Sequence, residues 1–434
     1  MSHHHKLSFW TAVLVNLNVM FGAGVFINTV TLTKLAGFFG FLSYVLVALL
    51  LVPLIGSIAA LLRLYPDGGF YAYASKTIHP LAGFISAWAY FTGKLASAAL
   101  LVHVFSSLMS SLLGCGNEYL IFVDSLIIIF FAWLNLLRMK TGQTIMYTFM
   151  VFKIMPIVFA IISCLCLYKQ WSVPQQTLLW GGIPTTIPLV LFAFTGFEAC
   201  CSLSGSLQNA EKNGPRVVFL TYCLVVGITI VYQLFFFLAA GTSLMTQGSY
   251  LDIFPTLFKA LGLDAHLVTR YAVSLLHSVL ACACLGGSYG ILFSNHWNLY
   301  ALAKHNHTFF PSVLLRLNAH SIPAACIIVE ACLCIFYLYF TQGTVVILQQ
   351  LSVLGSVLAY TLSVCGLLVL SYQRNLYFNQ FISWLALMSC TLFVGASIRN
   401  FYLYGLHALY LFVTLLTLGL FMFFITRFFY KRDE

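Results

Sequence analysis

Long apolar runs fill this chain, separated by short polar or basic interruptions, and twelve of them approach the roughly 20 residues a helix needs to cross a bilayer. They fall at about 9–34, 36–62, 81–113, 119–137, 143–168, 183–207, 216–241, 269–303, 322–341, 344–370, 380–398 and 404–429. Two of them are interrupted by glycine. In the first, Met20-Phe21-Gly22-Ala23-Gly24-Val25-Phe26 places two glycines near mid-span. In the sixth, Phe192-Ala193-Phe194-Thr195-Gly196-Phe197-Glu198 leads into a Ser/Gly cluster ending at Ser206. Glycine is a poor helix former, so each marks a place where backbone N–H and C=O groups can be freed. Irregular backbone at membrane depth is tolerated only where it lines a cavity or is buried in protein. A single G-x-G is also compatible with close helix packing; two breaks at matching positions point to a transporter site.

The matching positions divide the chain. The first span opens a block of five and the sixth opens another, with two helices left over. The expected layout is a cytoplasmic tail at 1–8, a first five-helix repeat at 9–168, a second at 183–370, two further spans at 380–429 and a cytoplasmic tail at 430–434.

Composition supports the membrane reading: 61% of residues are hydrophobic and 7% charged, with a mean hydropathy of +0.98. Soluble domains carry about 25% charge. The net charge of +10 would suggest nucleic acid in a soluble protein, but here it follows topology. With the N-terminus inside, the inner segments collect Lys6, Arg63, Lys76, Arg138, Lys140, Lys212, Arg216, Lys304, Arg316, Arg374, Arg427, Lys431 and Arg432. The outer side has Lys34, Lys169, Lys259, Arg270 and Arg399. That asymmetry places both termini in the cytoplasm and excludes nucleic acid as a partner. The first run is too long for a cleavable signal and lacks a small-residue exit. The cysteines lie mostly in apolar runs without a C-x-x-C pair, so neither zinc nor a disulfide framework is indicated; no metal or cofactor is expected.

Several other positions carry chemistry. Pro66-Asp67-Gly68-Gly69 is a turn signal, and the aromatics after it suit the membrane interface. Lys94 and Lys153 lie deep in the third and fifth spans, where an ionisable group costs at least about 2.5–3.5 kcal/mol and normally faces a cavity or partner. No firm partner for Lys94 is evident from the sequence. Asp124 and Glu330 are isolated acids with a structural or interfacial reading. The connection at 242–268 is long enough to hold short surface helices. The eighth span contains Gly286-Gly287-Ser288-Tyr289-Gly290, small residues that permit close approach.

Gly22-Ala23-Gly24-Val25-Phe26, the P-D-G-G-F-Y-A-Y loop, F-A-F-T-G-F-E with Q-N-A-E-K-N-G-P-R after it, Y-A-L-A-K at 300–304 and L-G-S-V-L-A-Y at 354–360 together resemble the amino acid–polyamine–organocation superfamily of permeases. The resemblance runs in order over nearly the whole chain. It implies an all-α polytopic membrane protein of 12 transmembrane helices, with a leucine-transporter-type 5+5 inverted repeat plus two C-terminal helices. It also implies a midplane site. Amides at Gly22, Ala23 and Gly24 would take a substrate carboxylate at a helix N-terminus. Carbonyls near Met20, Phe192 and Thr195, beside Gly196, would take the α-ammonium. Phe192 resembles the family's aromatic gate, Glu198 a proton-sensitive acid, and Lys153 the lysine that replaces a sodium ion in sodium-independent members. Two departures stand out: Ala23 replaces a common serine, and Ile291 lies near the position of a stacking aromatic.

The expected function is secondary active transport of amino acids, neutral ones foremost, sodium-independent and either proton-coupled or exchanging, across the inner (cytoplasmic) cell membrane. The partners are a small-molecule amino acid, protons and the lipid bilayer, with the chain acting alone or as a homodimer. The alternatives are an antiporter of basic amino acids or amines and a transport-inactive sensor on the same fold. An enzyme is disfavoured, because no paired carboxylate, metal cluster or nucleophile–base set falls in the spans.

Overall fold

A computed structural model describes residues 7–22, 24–66, 68–245, 249–263 and 267–430. Ala23, Asp67, Lys6, Lys431 and Arg432, singled out above, lie outside the described residues. Helices occupy every one of the apolar runs. In chain order they are α1 (Phe9–Met20), α2 (Gly24–Ala36), α3 (Gly40–Leu64), α4 (Phe70–Ser75), α5 (Pro80–Leu113), α6 (Leu120–Asn135), α7 (Met139–Cys166), α8 (Ile183–Phe194) and α9 (Ala199–Ser202). They continue with α10 (Ala210–Phe236), α11 (Thr242–Leu244), α12 (Ile253–Ala260), α13 (Leu267–Lys304), α14 (Pro311–Leu314), α15 (Ala324–Thr341), α16 (Val345–Gln373), α17 (Tyr377–Tyr404) and α18 (His407–Tyr430).

Among the described residues nine helical segments are long and apolar enough to cross a membrane, or ten when α1 and α2, bent by 41°, are taken as one. The shortfall from the expected twelve has two causes. α6 is only 16 residues long, and the sixth run stops being helix at Phe194. α10 starts six residues earlier than the expected 216 and carries Pro215 inside its first turns. After Phe236 it widens into a π-helical turn, Phe237–Gly241, before α11. The residues after Gly69 depart from the interfacial expectation. They form α4, in which Phe70 and Tyr73 are fully buried, with Phe70 stacked 4.3 Å from Tyr90. The connection at 242–268 does contain short helices, and α12 buries Ile253, Phe254, Leu257 and Phe258 against the protein.

The 34-residue α5 runs through the middle of the bundle, packed along α13 and α16. Lipid tails are as apolar as leucine side chains, so such packing depends on close contact rather than on water exclusion. Small residues supply it. A Cβ on Gly93 would come within 2.9 Å of Gly355 Cα across the α5–α16 crossing. A Cβ on Gly286 would meet Phe149 and Lys153 of α7, and one on Gly290 would meet Val19 of α1. The small-residue run of the eighth span therefore does bring three helices together. α17 lies outside, against α3 and α16, and α18 packs on α16 and α5. Trp133, Phe130, Trp384, Phe381 and Phe421 project outward from the bundle.

Candidate functional site

The two interrupted runs lie side by side and antiparallel. At one end Leu7 bridges Leu207, with the Gln208 amide donating to the Leu7 carbonyl at 3.0 Å. At the other Gly37 bridges Leu178, and the Phe38 amide donates to the Thr177 carbonyl at 3.0 Å. Between these ends the Asn28 side chain donates through Nδ2 to the Leu189 carbonyl at 2.7 Å. The start of each run thus meets the end of the other, and the two breaks face each other.

In the first break α1 ends at Met20. Phe21 leaves the helix with ψ 82°, and the Gly22 amide turns back onto the Met20 carbonyl at 3.0 Å. α2 resumes at Gly24. In the second, Thr195 is extended (φ −69°, ψ 141°) and its hydroxyl donates to the Phe192 carbonyl at 2.9 Å. Gly196 follows at φ +122°, a conformation that L side chains rarely adopt. A Cβ there would also sit 2.7 Å from Val19 Cγ1 and 3.0 Å from the Met20 nitrogen. Only glycine fits on both counts. Glu198 then folds back, its Oε2 accepting from the Gly196 amide at 2.9 Å, so a side chain satisfies a donor that the missing helical turn leaves open.

Where the breaks meet there is a tight cleft, with room for about one water. Its walls are Met20, Gly22 and Gly24 from the first break, Phe192, Ala193 and Thr195 from the second, Lys94, Ser97 and Leu101 from α5, and Ile291 from α13. Six of the residues expected at the site therefore line one space: Met20, Gly22, Gly24, Phe192, Thr195 and Ile291. Gly196 and Glu198 stand behind that lining. The Gly22 amide and the Met20 and Phe192 carbonyls, expected to be free, are already engaged, Gly22 donating to Met20 and Thr195 donating to Phe192, so a ligand would share or displace those bonds.

Lys94 is the residue the sequence reading left without a partner, and the structure gives it one: its Nζ lies 2.9 Å from Glu198 Oε1, with both side chains buried. The ammonium also stands over the Tyr90 ring at 5.4 Å. Lys153 lies one layer away from the cleft. Its Nζ donates to the Asn18 carbonyl of α1, so the fifth run is tied to the helix that ends in the first break. Asn18 itself donates through Nδ2 to the Met146 carbonyl at 2.9 Å, a second tie between α1 and α7. Asn16, not singled out from the sequence, binds the second break directly: its Nδ2 donates to the Phe197 carbonyl, and its Oδ1 accepts from the Cys200 amide at 2.8 Å. The isolated acids lie elsewhere. Asp124 Oδ2 is 2.7 Å from His103 Nδ1, and Glu330 is buried in α15, 3.9 Å from His296 Nδ1.

Fold and site together define a polytopic helical membrane protein whose interior cleft is built from two antiparallel, interrupted helices. Over residues 7–432 the sequence matches the amino acid permease model, and the chain belongs to that family, within the amino acid–polyamine–organocation superfamily. Among its curated relatives is the low-affinity putrescine importer PlaP of Escherichia coli (strain K12), 27% identical over 45% of this chain and 44% of that protein. The arginine/ornithine antiporter of Pseudomonas aeruginosa is 25% identical over 64% of this chain and 59% of that one. The serine/threonine exchanger SteT of Bacillus subtilis (strain 168) is 24% identical over 38% of each. The chain thus spans about half the length of the curated relatives it matches.

Proposed function

We propose that this protein is a secondary transporter of amino acids that works by alternating access between a first repeat, residues 9–168, and a second, residues 183–370. In this reading the fold has twelve spans, α17 and α18 are additions to the 5+5 core, and both termini are cytoplasmic in the inner cell membrane. The observation that carries it is the antiparallel pairing of the two interrupted runs, because a pseudo-two-fold axis in the membrane plane would relate two such runs in this way. The substrate carboxylate meets the N-terminal end of α2 at Gly22, Ala23 and Gly24. The α-ammonium meets the carbonyls at Met20, Phe192 and Thr195, Phe192 closes over the ligand, and Ile291 forms part of the side-chain wall. A ligand larger than water requires the walls to part, which suits a site that opens to one side at a time.

Transport is sodium-independent, with Lys153 in the place a cation would fill and Glu198 as the proton-sensitive acid, and it runs as proton-coupled uptake or as exchange. One charge moving through about 100 mV supplies about 2.3 kcal/mol, enough for a gradient of about fiftyfold. The apolar lining favours neutral amino acids. A second reading, exchange of basic amino acids or amines, draws on the names of two relatives, a putrescine importer and an arginine/ornithine antiporter.

Counterflow in proteoliposomes tests the transporter reading. Vesicles loaded with unlabelled substrate should accelerate entry of the labelled one. A panel of amino acids that gives no such stimulation, while some still raise the melting temperature through binding, would make the protein a sensor on this fold.

A further inference from the structure

Among the described residues that border the cleft, Lys94 is the one with an ionisable side chain, and it lies between the open space and Glu198. Glu198 does not reach the cleft. Its Oε2 is taken by the Gly196 amide and its Oε1 faces the Lys94 ammonium at 2.9 Å. Both partners are almost wholly buried, at 2% and 0% exposure, so water does little to screen either charge. A buried carboxylate needs a counter-charge. In an otherwise similar cleft the positive group of a ligand could supply one. Here the chain supplies its own, on a residue that borders the cleft.

We propose that Lys94 is a built-in counter-ion and the specificity-determining residue of the cleft, occupying the place from which a cationic ligand group would neutralise Glu198. This rests on the amino acid transporter reading and deepens it. A ligand bearing a positive side chain meets a like charge in a poorly screened space and finds no unmatched acid. A zwitterionic amino acid puts no second positive charge there. Apolarity of the walls is thus only part of the discrimination; the sign of one buried side chain sets the rest. Discrimination of this kind works by repelling the wrong ligand as well as by fitting the right one.

The experiment uses purified full-length protein in proteoliposomes. Competition against a labelled neutral substrate is measured with serine, alanine and leucine, and with arginine, ornithine and putrescine. Wild type should admit neutral competitors and exclude the cations. Lys94→Met exposes Glu198 and should improve competition by at least one cation by about tenfold or more, equivalent to ~1.4 kcal/mol. Lys94→Met/Glu198→Gln lacks both the repulsion and the acid, so its cation competition should fall between those two. Lys94→Arg keeps the charge and should keep the exclusion. The proposal is overturned if wild type accepts cations as readily as neutral amino acids, or if folded Lys94→Met shows no gain. Should Lys94→Met fail to fold, the double variant decides, since discrimination equal to wild type there would also overturn it. A protein that binds no amino acid of any charge would fail the transporter reading first, an outcome distinct from binding without charge discrimination.

Discussion

The Cys200 amide donates to Asn16 Oδ1 at 2.8 Å, from one interrupted run to the other. With Asn16 Nδ2 on the Phe197 carbonyl, one fully buried amide satisfies both a donor and an acceptor that the second break exposes. Leucine fills similar volume but can satisfy neither. Orphaning such groups costs about 1–3 kcal/mol, and side-chain bonds between membrane helices are worth up to about 1.7 kcal/mol. Asn16→Leu should therefore lower the melting temperature of the purified protein and reduce uptake more than the thermal loss alone explains, because the break itself is loosened. Unchanged stability with unchanged uptake would mean that Phe197 and Cys200 are held by other means.

A second expectation concerns Gly24. A Cβ there would lie 3.6 Å from Ala193 and from the Phe192 ring, ordinary contact distances. Alanine therefore fits, whereas the longer branches of leucine would run into Phe192 and the cleft. Gly24→Ala should insert and transport, and Gly24→Leu should insert but lose most transport. Uptake corrected for the amount of monodisperse protein checks this. Normal rates in Gly24→Leu would show that the carboxylate is held elsewhere.

The sequence made the lining legible to the extent that glycine marked it. Gly196 is needed because the backbone there takes φ +122° and passes close to Met20, while Gly22 and Gly24 mark where the first helix breaks, and both signals show in the residue type. The helices were legible because each apolar run has the length of a bilayer; their ends were not, since Pro215 is accommodated within α10 and α4 is buried despite its turn-rich lead-in. Lys94 illustrates a different limit. Its partner is 104 positions away, and helix periodicity says nothing about which distant helix a side chain faces. The available signal was charge: two ionisable side chains of opposite sign at mid-span seldom stay unmatched in a membrane interior. Asn16 and Asn18 gave no comparable signal, because a polar amide beside a break looks the same whether it faces lipid or the second break.

Outside the spans, the loop after α13 predicts a pH response. His307 packs tilted against Phe423 at 4.8 Å, its Nε2 is 2.8 Å from the Tyr71 hydroxyl, and His305 lies beside it. Burial, then His305, then Arg427 lower its pKa from the ordinary 6.5 to about 4. His305 is lowered as well, by burial and by Lys304 and Lys76. A depressed folded-state value means that the neutral form is the one the fold favours, so the stabilisation is complete above pH 6.5 and is lost as pH falls toward about 4. His307→Gln keeps a partner for Tyr71 but never charges. Melting temperatures recorded across that interval should fall less steeply for the variant than for wild type, and parallel curves would remove His307 from the acid response.

The last prediction joins Lys153 to coupling. Its ammonium holds the Asn18 carbonyl, two residues before α1 ends, so the amine supplies a positive charge next to the first break from α7. In the proposed transport cycle, when the walls part around a ligand, α1 and α7 separate, and the lysine exchanges its carbonyl partner for water and releases its proton. Alanine removes both the cation and the titrating group. Lys153→Ala should therefore lose most of its uptake rate and its dependence on pH, without acquiring a need for sodium. The loss should exceed that in Lys153→Arg, which keeps the charge but cannot readily give up a proton. Uptake between pH 5 and 8, with and without sodium, separates the outcomes. Strict sodium dependence in wild type, or a wild-type pH profile in Lys153→Ala, would leave Lys153 as a structural tie between α7 and α1 and move coupling to another group.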